Sequence, residues 1–206
     1  MVQIAVLDYG IGNLRSSQKA LENVGANAKL TSDPSTVLSS DGVVLPGVGN
    51  FGKCAAALVS TGVRDLSLQA ISQGIPFLGI CVGMQLLFES SEESPEVEGL
   101  GVLAGEVKLL SGSIKLPQMQ WNSLKVEEET PLLTGLQGKW FYFVHSYAVD
   151  PKTTENIVVG TCDYGGRVPA VVQKERVFAT QFHPEKSSEA GREFLRNFLT
   201  YCEAKK

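Results

Sequence analysis

The sequence lacks features that would indicate a nucleic-acid or membrane protein. It has no long basic segment, and 18 Lys and Arg residues against 22 Asp and Glu residues give a formal net charge of −4. Nucleic-acid-binding proteins usually carry a basic patch or stripe, so nucleic acid is not expected as a partner. No apolar run approaches the roughly 20 residues that a membrane-spanning helix needs, so no membrane association is expected either.

Cysteine and histidine are both scarce. The four cysteines are widely separated and form no Cys-x-x-Cys pair. Together with the absence of a basic leader, this favours reduced thiols and a cytoplasmic location. The two histidines, His145 and His183, share their segments with no ligands at the spacing of a metal site, so no metal is expected. Gly10-Ile11-Gly12 begins like a dinucleotide fingerprint, but Arg15 stands where the third glycine belongs, and no cofactor is expected.

Short apolar runs alternate with amphipathic stretches in the first part of the chain. The predicted strands are Val2–Leu7, Ala26–Leu30, Val43–Leu45 and Pro76–Ile80, and the predicted helices cover residues 13–24 and 50–73, with a break near Gly62. Alternating strands and helices are typical of an α/β fold, with a mostly parallel central sheet and helices on both faces. In such folds ligands bind at the carboxyl ends of the strands.

The second part of the chain has a different pattern. Between residues 103 and 181, short strand-like runs separated by Gly and Pro turns predict an antiparallel extension of the sheet. The runs are Gly105–Leu110, Trp140–Tyr147, Ile157–Cys162, Ala170–Gln173 and Val177–Gln181. An amphipathic helix is predicted over residues 189–201. With no internal repeat, the chain is interpreted as a single domain covering residues 1–206.

Cys81 has the sequence context of a nucleophile. It lies in Gly79-Ile80-Cys81-Val82-Gly83, between a predicted strand and a helical run over residues 84–88. Small residues on both sides allow the tight strand-to-helix turn of a nucleophile elbow, and a helix N-terminus favours a thiolate. The same five residues also suit a buried cysteine in a glycine-rich turn, and the motif alone does not decide between the two.

A thiol nucleophile needs a base, and His183 is the better candidate of the two histidines. It follows a predicted strand, and Glu185 stands two residues later, on the same side of an extended segment. The carboxylate can then orient the imidazole and stabilise its charged form, as in other catalytic triads. Alone, His-Pro-Glu also fits an ordinary loop. His145 lies on a strand of aromatic and apolar residues, where we expect it to form a wall of the site.

Attack on an amide creates an oxyanion, which backbone N–H groups must stabilise. Val82, directly after the nucleophile, is predicted to supply one donor. The second is predicted in Pro46-Gly47-Val48-Gly49, at the carboxyl end of the neighbouring strand, where two glycines allow close approach or a peptide flip. The tetrapeptide is also compatible with a plain turn.

Several segments in the same order resemble the class I, or triad, glutamine amidotransferases. Within that class the chain is similar over its full length to the glutaminase subunits of imidazole glycerol phosphate synthases, which belong to histidine biosynthesis. The matching segments are Asp8–Leu14, Leu45–Gly49, Gly79–Gln85, Gln85–Glu93, Tyr142–Tyr147 and His183–Ser187.

The resemblance implies a glutaminase that uses Cys81, His183 and Glu185 to convert glutamine into glutamate and ammonia. It also implies that the Val48 N–H joins the oxyanion hole once a partner docks. That partner is expected to be a separate (β/α)8 cyclase subunit, which forms a heterodimer with this chain. The residues implied to bind glutamine are Gly47, Gly49, Gln85, Glu93, His145, Ser146 and Tyr147. The residues implied at the partner interface are Trp121, Asn122, Tyr142 and Lys186.

One segment departs from the family pattern. Gln118 and Gln120 stand where the family usually has histidine and glycine. We expect this edge to meet the partner, so the change bears on partner coupling and leaves the triad intact. Two other functions remain open on the residues alone: a stand-alone hydrolase of γ-glutamyl amides or peptides, and a non-catalytic regulatory module of the same fold.

Overall fold

The computed structural model describes residues 1–204; the last two residues of the predicted domain lie outside the described part. The strands are β1 (Gln3–Leu7), β2 (Asn27–Thr31), β3 (Gly42–Gly47), β4 (Phe77–Cys81), β5 (Ser90–Ser91), β6 (Glu106–Leu109), β7 (Gln118–Ser123), β8 (Lys125–Val126), β9 (Trp140–His145), β10 (Tyr147–Val149), β11 (Val158–Asp163), β12 (Arg167–Lys174) and β13 (Val177–Thr180). The α-helices are α1 (Leu14–Asn23), α2 (Pro34–Leu38), α3 (Phe51–Ser60), α4 (Val63–Ser72), α5 (Val82–Gln85) and α6 (Ser188–Glu203). Short 3-10 turns cover Pro131–Leu133 and Pro184–Lys186.

The central sheet has eight strands in the order β2-β1-β3-β4-β13-β12-β11-β8. The first five run parallel to one another, and the last three continue the sheet in antiparallel fashion. The predicted α/β class, with a mostly parallel sheet and an antiparallel extension, is confirmed. Two small sheets, β10-β6-β5 and β7-β9, lie apart from the central one.

Three parts of the predicted extension are placed differently in the structure. The run Gly105–Leu110 forms β6 in the small sheet β10-β6-β5 and does not join the central sheet. The run that begins at Trp140 does not join the central sheet, because β9 pairs with β7 and β10 pairs with β6. The run that begins at Val177 returns to the parallel part, because β13 lies between β4 and β12 and runs parallel to β4. The parallel pairing of β13 with β4 brings the segment after β13 to the same edge of the sheet as the end of β4.

Apolar strands and one-sided helices build the core. Every residue of β3, β4 and β13 is buried, as expected for parallel strands covered on both faces. The last helix, α6, buries Phe194, Leu195, Phe198 and Leu199, as its sequence pattern predicts. The Phe198 ring on α6 packs edge to face against the Phe178 ring on β13, with 6.2 Å between the ring centroids. No helix among residues 1–204 is long and apolar enough to cross a membrane.

Candidate active site

Cys81 stands at a strained turn between β4 and α5. Its backbone has φ 55° and ψ −112°, a conformation that is rare for a residue with a side chain and is often found at functional sites. Helix α5, which covers Val82–Gln85, is shorter than the helical run expected there. The predicted nucleophile elbow is thus present in the backbone.

Glycines make this turn possible because the backbone on either side approaches closely. A Cβ atom added to Gly79 would lie 2.7 Å from the carbonyl oxygen of Gly83, and one added to Gly83 would overlap the carbonyl oxygen of Leu45. On the neighbouring strand, a Cβ atom at Gly47 would lie 2.5 Å from the nitrogen of Gly83. Side chains at any of these positions would push α5 away from β3 and β4.

The predicted base and its orienting carboxylate are in contact. His183 Nδ1 lies 2.7 Å from Glu185 Oε1, and the two side chains are only 2% and 3% exposed. The contact was predicted, but the geometric reason was wrong. Glu185 does not continue an extended segment: it lies in the 3-10 turn Pro184–Lys186, which folds the carboxylate back toward the ring.

The surroundings of the two histidines shift their pKa values in opposite directions. Burial disfavours the charged ring of His183, but hydrogen bonds to Cys81 and Glu185 outweigh it and raise the pKa to about 10. The His183 ring is therefore protonated on both nitrogens and positively charged at neutral pH. Burial lowers the pKa of His145 to about 4, so this ring is neutral, and its Nδ1–H donates to the Tyr147 carbonyl at 2.9 Å. His145 lines the cavity above Cys81.

Strand β9 holds the histidine turn in place. The His183 N–H donates to the carbonyl of Tyr142 at 3.0 Å, and the Tyr142 N–H donates to the Ser187 hydroxyl oxygen at 2.9 Å. The Ser187 hydroxyl in turn donates to the His183 carbonyl at 2.6 Å. Behind them the rings of Phe141 and Phe182 stack with centroids 4.1 Å apart. The base is thus positioned by β13 and β9 together.

A cavity of about 350 Å³ opens above Cys81, within the range of small-molecule sites. Most of the residues predicted to bind glutamine line it. The lining residues are Val48, Gly49, Cys81, Val82, Gln85, Glu93, Pro117, Val144, His145, Ser146, Tyr147, His183 and Lys186. Gly47 is the exception: it lies behind the cavity, buried against Gly83.

Two of the lining side chains also hold the walls together. The buried Gln85 amide donates to the Tyr147 carbonyl at 2.9 Å and to Gln181 Oε1 at 3.1 Å. Glu93 Oε2 accepts from the Phe51 N–H at 2.6 Å, at the first turn of α3. Sequence reasoning missed Gln181, whose amide nitrogen lies 3.8 Å from Cys81 Sγ. The signal for it was a polar side chain directly after an apolar strand.

An exposed apolar surface lies beside the cavity on β7 and β9. We call it the aromatic rim, and its residues are Met119, Trp121, Trp140 and Tyr142. Trp121 pairs with Tyr142 across the strands, with ring centroids 6.2 Å apart. The Lys186 ammonium lies 6.0 Å from the Tyr142 ring centroid. Met119 and Trp140 are 64% and 58% exposed, and sequence reasoning missed both.

Gln118, Gln120 and Asn122 of β7 face away from the rim, since neighbours along a strand alternate. Asn122 donates its amide to the Asp163 carbonyl at 2.8 Å, which ties β7 to β11. Gln118 is fully buried, with its amide nitrogen 3.8 Å from Cys162 Sγ. Of the two unusual glutamines, Gln120 is exposed and Gln118 lies inside the protein.

The fold and the comparisons with known proteins together define the class of protein. The family model for glutamine amidotransferase class-I matches residues 5–202, and the chain belongs to this family. Two similar relatives carry the name of one particular enzyme subunit within this family. The chain is 48% identical to imidazole glycerol phosphate synthase subunit HisH 1 of Methanococcus maripaludis, over 95% of this chain and 98% of that protein. It is 46% identical to subunit HisH of Methanothermobacter thermautotrophicus, over 98% and 100% of the two chains.

Solved structures agree on the fold. One described as a crystal structure of glutamine amidotransferase has a TM-score of 0.77 and 23% identity, covering 97% of this chain and 98% of that one. The structure of PurLQS from Thermotoga maritima has a TM-score of 0.75 and 23% identity, covering 98% and 99%. At this identity the likeness concerns the fold alone.

Proposed function

We propose that the chain is the glutaminase subunit of an imidazole glycerol phosphate synthase in histidine biosynthesis, and that it passes ammonia to a separate cyclase subunit. The observation that carries the proposal is the buried His183–Glu185 pair beside Cys81, at one end of a cavity of suitable size. Near full-length similarity to HisH proteins supports the choice of pathway.

The reaction follows from this arrangement. With its proton transferred to His183, the thiolate sulfur of Cys81 attacks the carboxamide carbon of glutamine, and the carbonyl electrons move to oxygen. As the tetrahedral intermediate collapses, His183 gives its proton to the departing nitrogen, which leaves as ammonia. A γ-glutamyl thioester remains on Cys81. Water then attacks it with His183 as base, and glutamate is released.

The oxyanion needs donors that are already in place when charge develops. We assign the Val82 N–H, the first of α5, and the Val48 N–H, which lies across the cavity at the end of β3. Both residues line the cavity with Cys81. Glu185 contacts no substrate in this scheme, because it lies behind His183 and does not line the cavity.

The partner is proposed from the chemistry of the product and from the aromatic rim. Ammonia is mostly protonated in neutral water and then no longer nucleophilic, so an enclosed route to a second active site is advantageous. Four of the exposed large apolar residues, Leu116, Met119, Trp121 and Trp140, lie on or just before β7 and β9. An exposed apolar patch of this kind marks an interaction site, and we assign it to a (β/α)8 cyclase subunit.

The test is glutamate release by the chain alone, with the cyclase subunit, and with the cyclase subunit plus its nucleotide ligand. The loaded complex should turn over fastest, and Cys81→Ala should abolish hydrolysis while synthesis from added ammonia continues. Hydrolysis that survives in Cys81→Ala would exclude the mechanism. A full rate in the chain alone would instead indicate a stand-alone hydrolase.

A further inference from the structure

Two buried polar side chains lie behind the loop Pro46-Gly47-Val48-Gly49, and the mechanism above does not use them. The Tyr9 hydroxyl donates a hydrogen bond to the Pro46 carbonyl at 2.7 Å. The Cys54 thiol donates one to the Val48 carbonyl at 3.4 Å. Tyr9 and Cys54 are 1% and 0% exposed, and the two groups also interact with each other. The loop is thus held from the interior at two carbonyls.

These carbonyls belong to the two peptide groups on either side of the peptide that carries the Val48 N–H. A peptide plane reorients by rotation about the flanking single bonds, here ψ of Gly47 and φ of Val48. Glycine makes the first of these rotations easy. When the neighbouring peptides are held, reorientation is confined to the Gly47–Val48 peptide. The hydrogen bonds from Tyr9 and Cys54 thus restrain the rest of the loop. They leave the Val48 N–H free to move only by rotation of the Gly47–Val48 peptide.

The Tyr9 hydroxyl and the Cys54 thiol are suited to donate hydrogen bonds to the loop throughout the neutral pH range. Burial raises the pKa of the Tyr9 hydroxyl, and burial likewise raises the pKa of the Cys54 thiol. Both groups therefore keep the protons they donate at neutral pH. The loop is also bounded on its other sides: Gly47 meets Gly83 of the elbow, and a Cβ atom at Gly12 would lie 3.9 Å from the Val48 side chain.

We propose that Tyr9 and Cys54 form a clamp that positions the Val48 N–H for the oxyanion, so that both are positioning residues for glutamine hydrolysis. The proposal rests on the function given above. An oxyanion donor acts on the transition state, so a loosened clamp should lower kcat and leave KM for glutamine unchanged. Removing a whole donor costs about 10²–10³ in kcat, and a displaced donor should cost less, roughly 10-fold.

The experiment compares three substitutions in the complex with the loaded cyclase subunit. Tyr9→Phe and Cys54→Ala each remove one donor, whereas Cys54→Ser keeps a donor at nearly the same place. The matched control is Cys202→Ala, because Cys202 is 1% exposed and lies on α6 beside Gly42, away from the loop. The measurements are kcat, KM for glutamine, and the affinity for glutamate γ-semialdehyde. The Cys81 thiol adds across the C=O of this aldehyde, and the resulting oxygen occupies the oxyanion position.

Tyr9→Phe and Cys54→Ala should lower kcat roughly 10-fold and weaken aldehyde binding by a similar factor, with KM unchanged. Cys54→Ser should recover most of the loss, and Cys202→Ala should keep the wild-type kcat. Wild-type kcat in both donor-deleting variants would overturn the clamp, as would an equal loss in Cys202→Ala. If Tyr9→Phe does not fold, the comparison of Cys54→Ala with Cys54→Ser decides.

The outcome also separates the clamp from the function on which it rests. If Cys81→Ala abolishes hydrolysis and the clamp variants do not lower it, only the clamp is refuted. If hydrolysis survives in Cys81→Ala, the proposed function itself fails.

Discussion

Replacing Glu185 by glutamine tests the triad while keeping the shape of the side chain. The carboxylate lies 2.7 Å from His183 Nδ1, and both side chains are almost completely buried. Its second oxygen, Oε2, is buried and has no hydrogen-bond partner among the described residues. The negative charge of Glu185 is therefore balanced mainly by the proton on His183, and Glu185→Gln removes that balance.

The expected loss follows from the strength of this contact. A hydrogen bond to a charged group contributes about 1.5–3 kcal/mol, and each 1.36 kcal/mol in the barrier changes a rate about tenfold. We therefore expect kcat to fall by a factor of about 10 to about 160 in Glu185→Gln. KM for glutamine should stay close to wild type, because Glu185 does not line the cavity. The loss should be smaller than in Cys81→Ala, which has no nucleophile.

The assay is glutamate release by the complex with the loaded cyclase subunit. Glu189→Gln is the matched control, because Glu189 is an exposed carboxylate that pairs with Arg192 on α6. An unchanged kcat in Glu185→Gln would refute the role of Glu185, and an equal loss in Glu189→Gln would make the effect non-specific.

The same pair predicts how stability depends on pH. The pKa of His183 is raised to about 10 in the folded protein, against about 6.5 in an unfolded chain. Its contribution to stability is therefore complete below about pH 6.5 and is lost as the pH rises toward 10. Tm measured across this window should fall less steeply in Glu185→Gln than in the wild type. Identical slopes of Tm against pH in the two proteins would contradict the contribution of Glu185 to the raised pKa of His183.

Three further predictions concern the rest of the site. Gly83→Ala should reduce both Tm and glutamine hydrolysis, because its Cβ would overlap the Leu45 carbonyl; a wild-type Tm would refute the crowding. Trp140→Ala should weaken binding of the cyclase subunit in a titration and leave Tm near wild type, since Trp140 is 58% exposed. The pKa of His145 is lowered to about 4 in the folded protein, against about 6.5 in an unfolded chain. The folded protein therefore loses stability as the pH falls from about 6.5 toward 4. His145→Gln should flatten that part of the Tm profile.

The sequence predicted elements well where local pattern and final environment agree. Strands β3 and β4 are apolar throughout and fully buried, so an apolar run was a sufficient signal for both. Strand β7 was missed because only part of it faces the interior, and its sequence Gln118–Ser123 is largely polar. Helix α2 was missed because it is a single short turn, begun by Pro34 and capped by the Asp33 carboxylate. Cap and turn signals of this size are easily overlooked beside longer apolar patterns.

The site depended on information that no single segment contains. His183 and Cys81 were chosen from their local contexts, but their meeting requires β13 to run parallel to β4 beside it. A strand of five residues spans roughly 16 Å, so an antiparallel β13 would have placed His183 at the opposite edge of the sheet. The run Val177–Thr180 reads the same in either direction of pairing. The direction of β13 is set by the strand before it. Strand β12 runs opposite to β4, and β13 pairs antiparallel with β12, so β13 runs in the same direction as β4. The proximity of His183 and Cys81 is therefore a product of strand order and strand direction, which no local pattern in the sequence specifies.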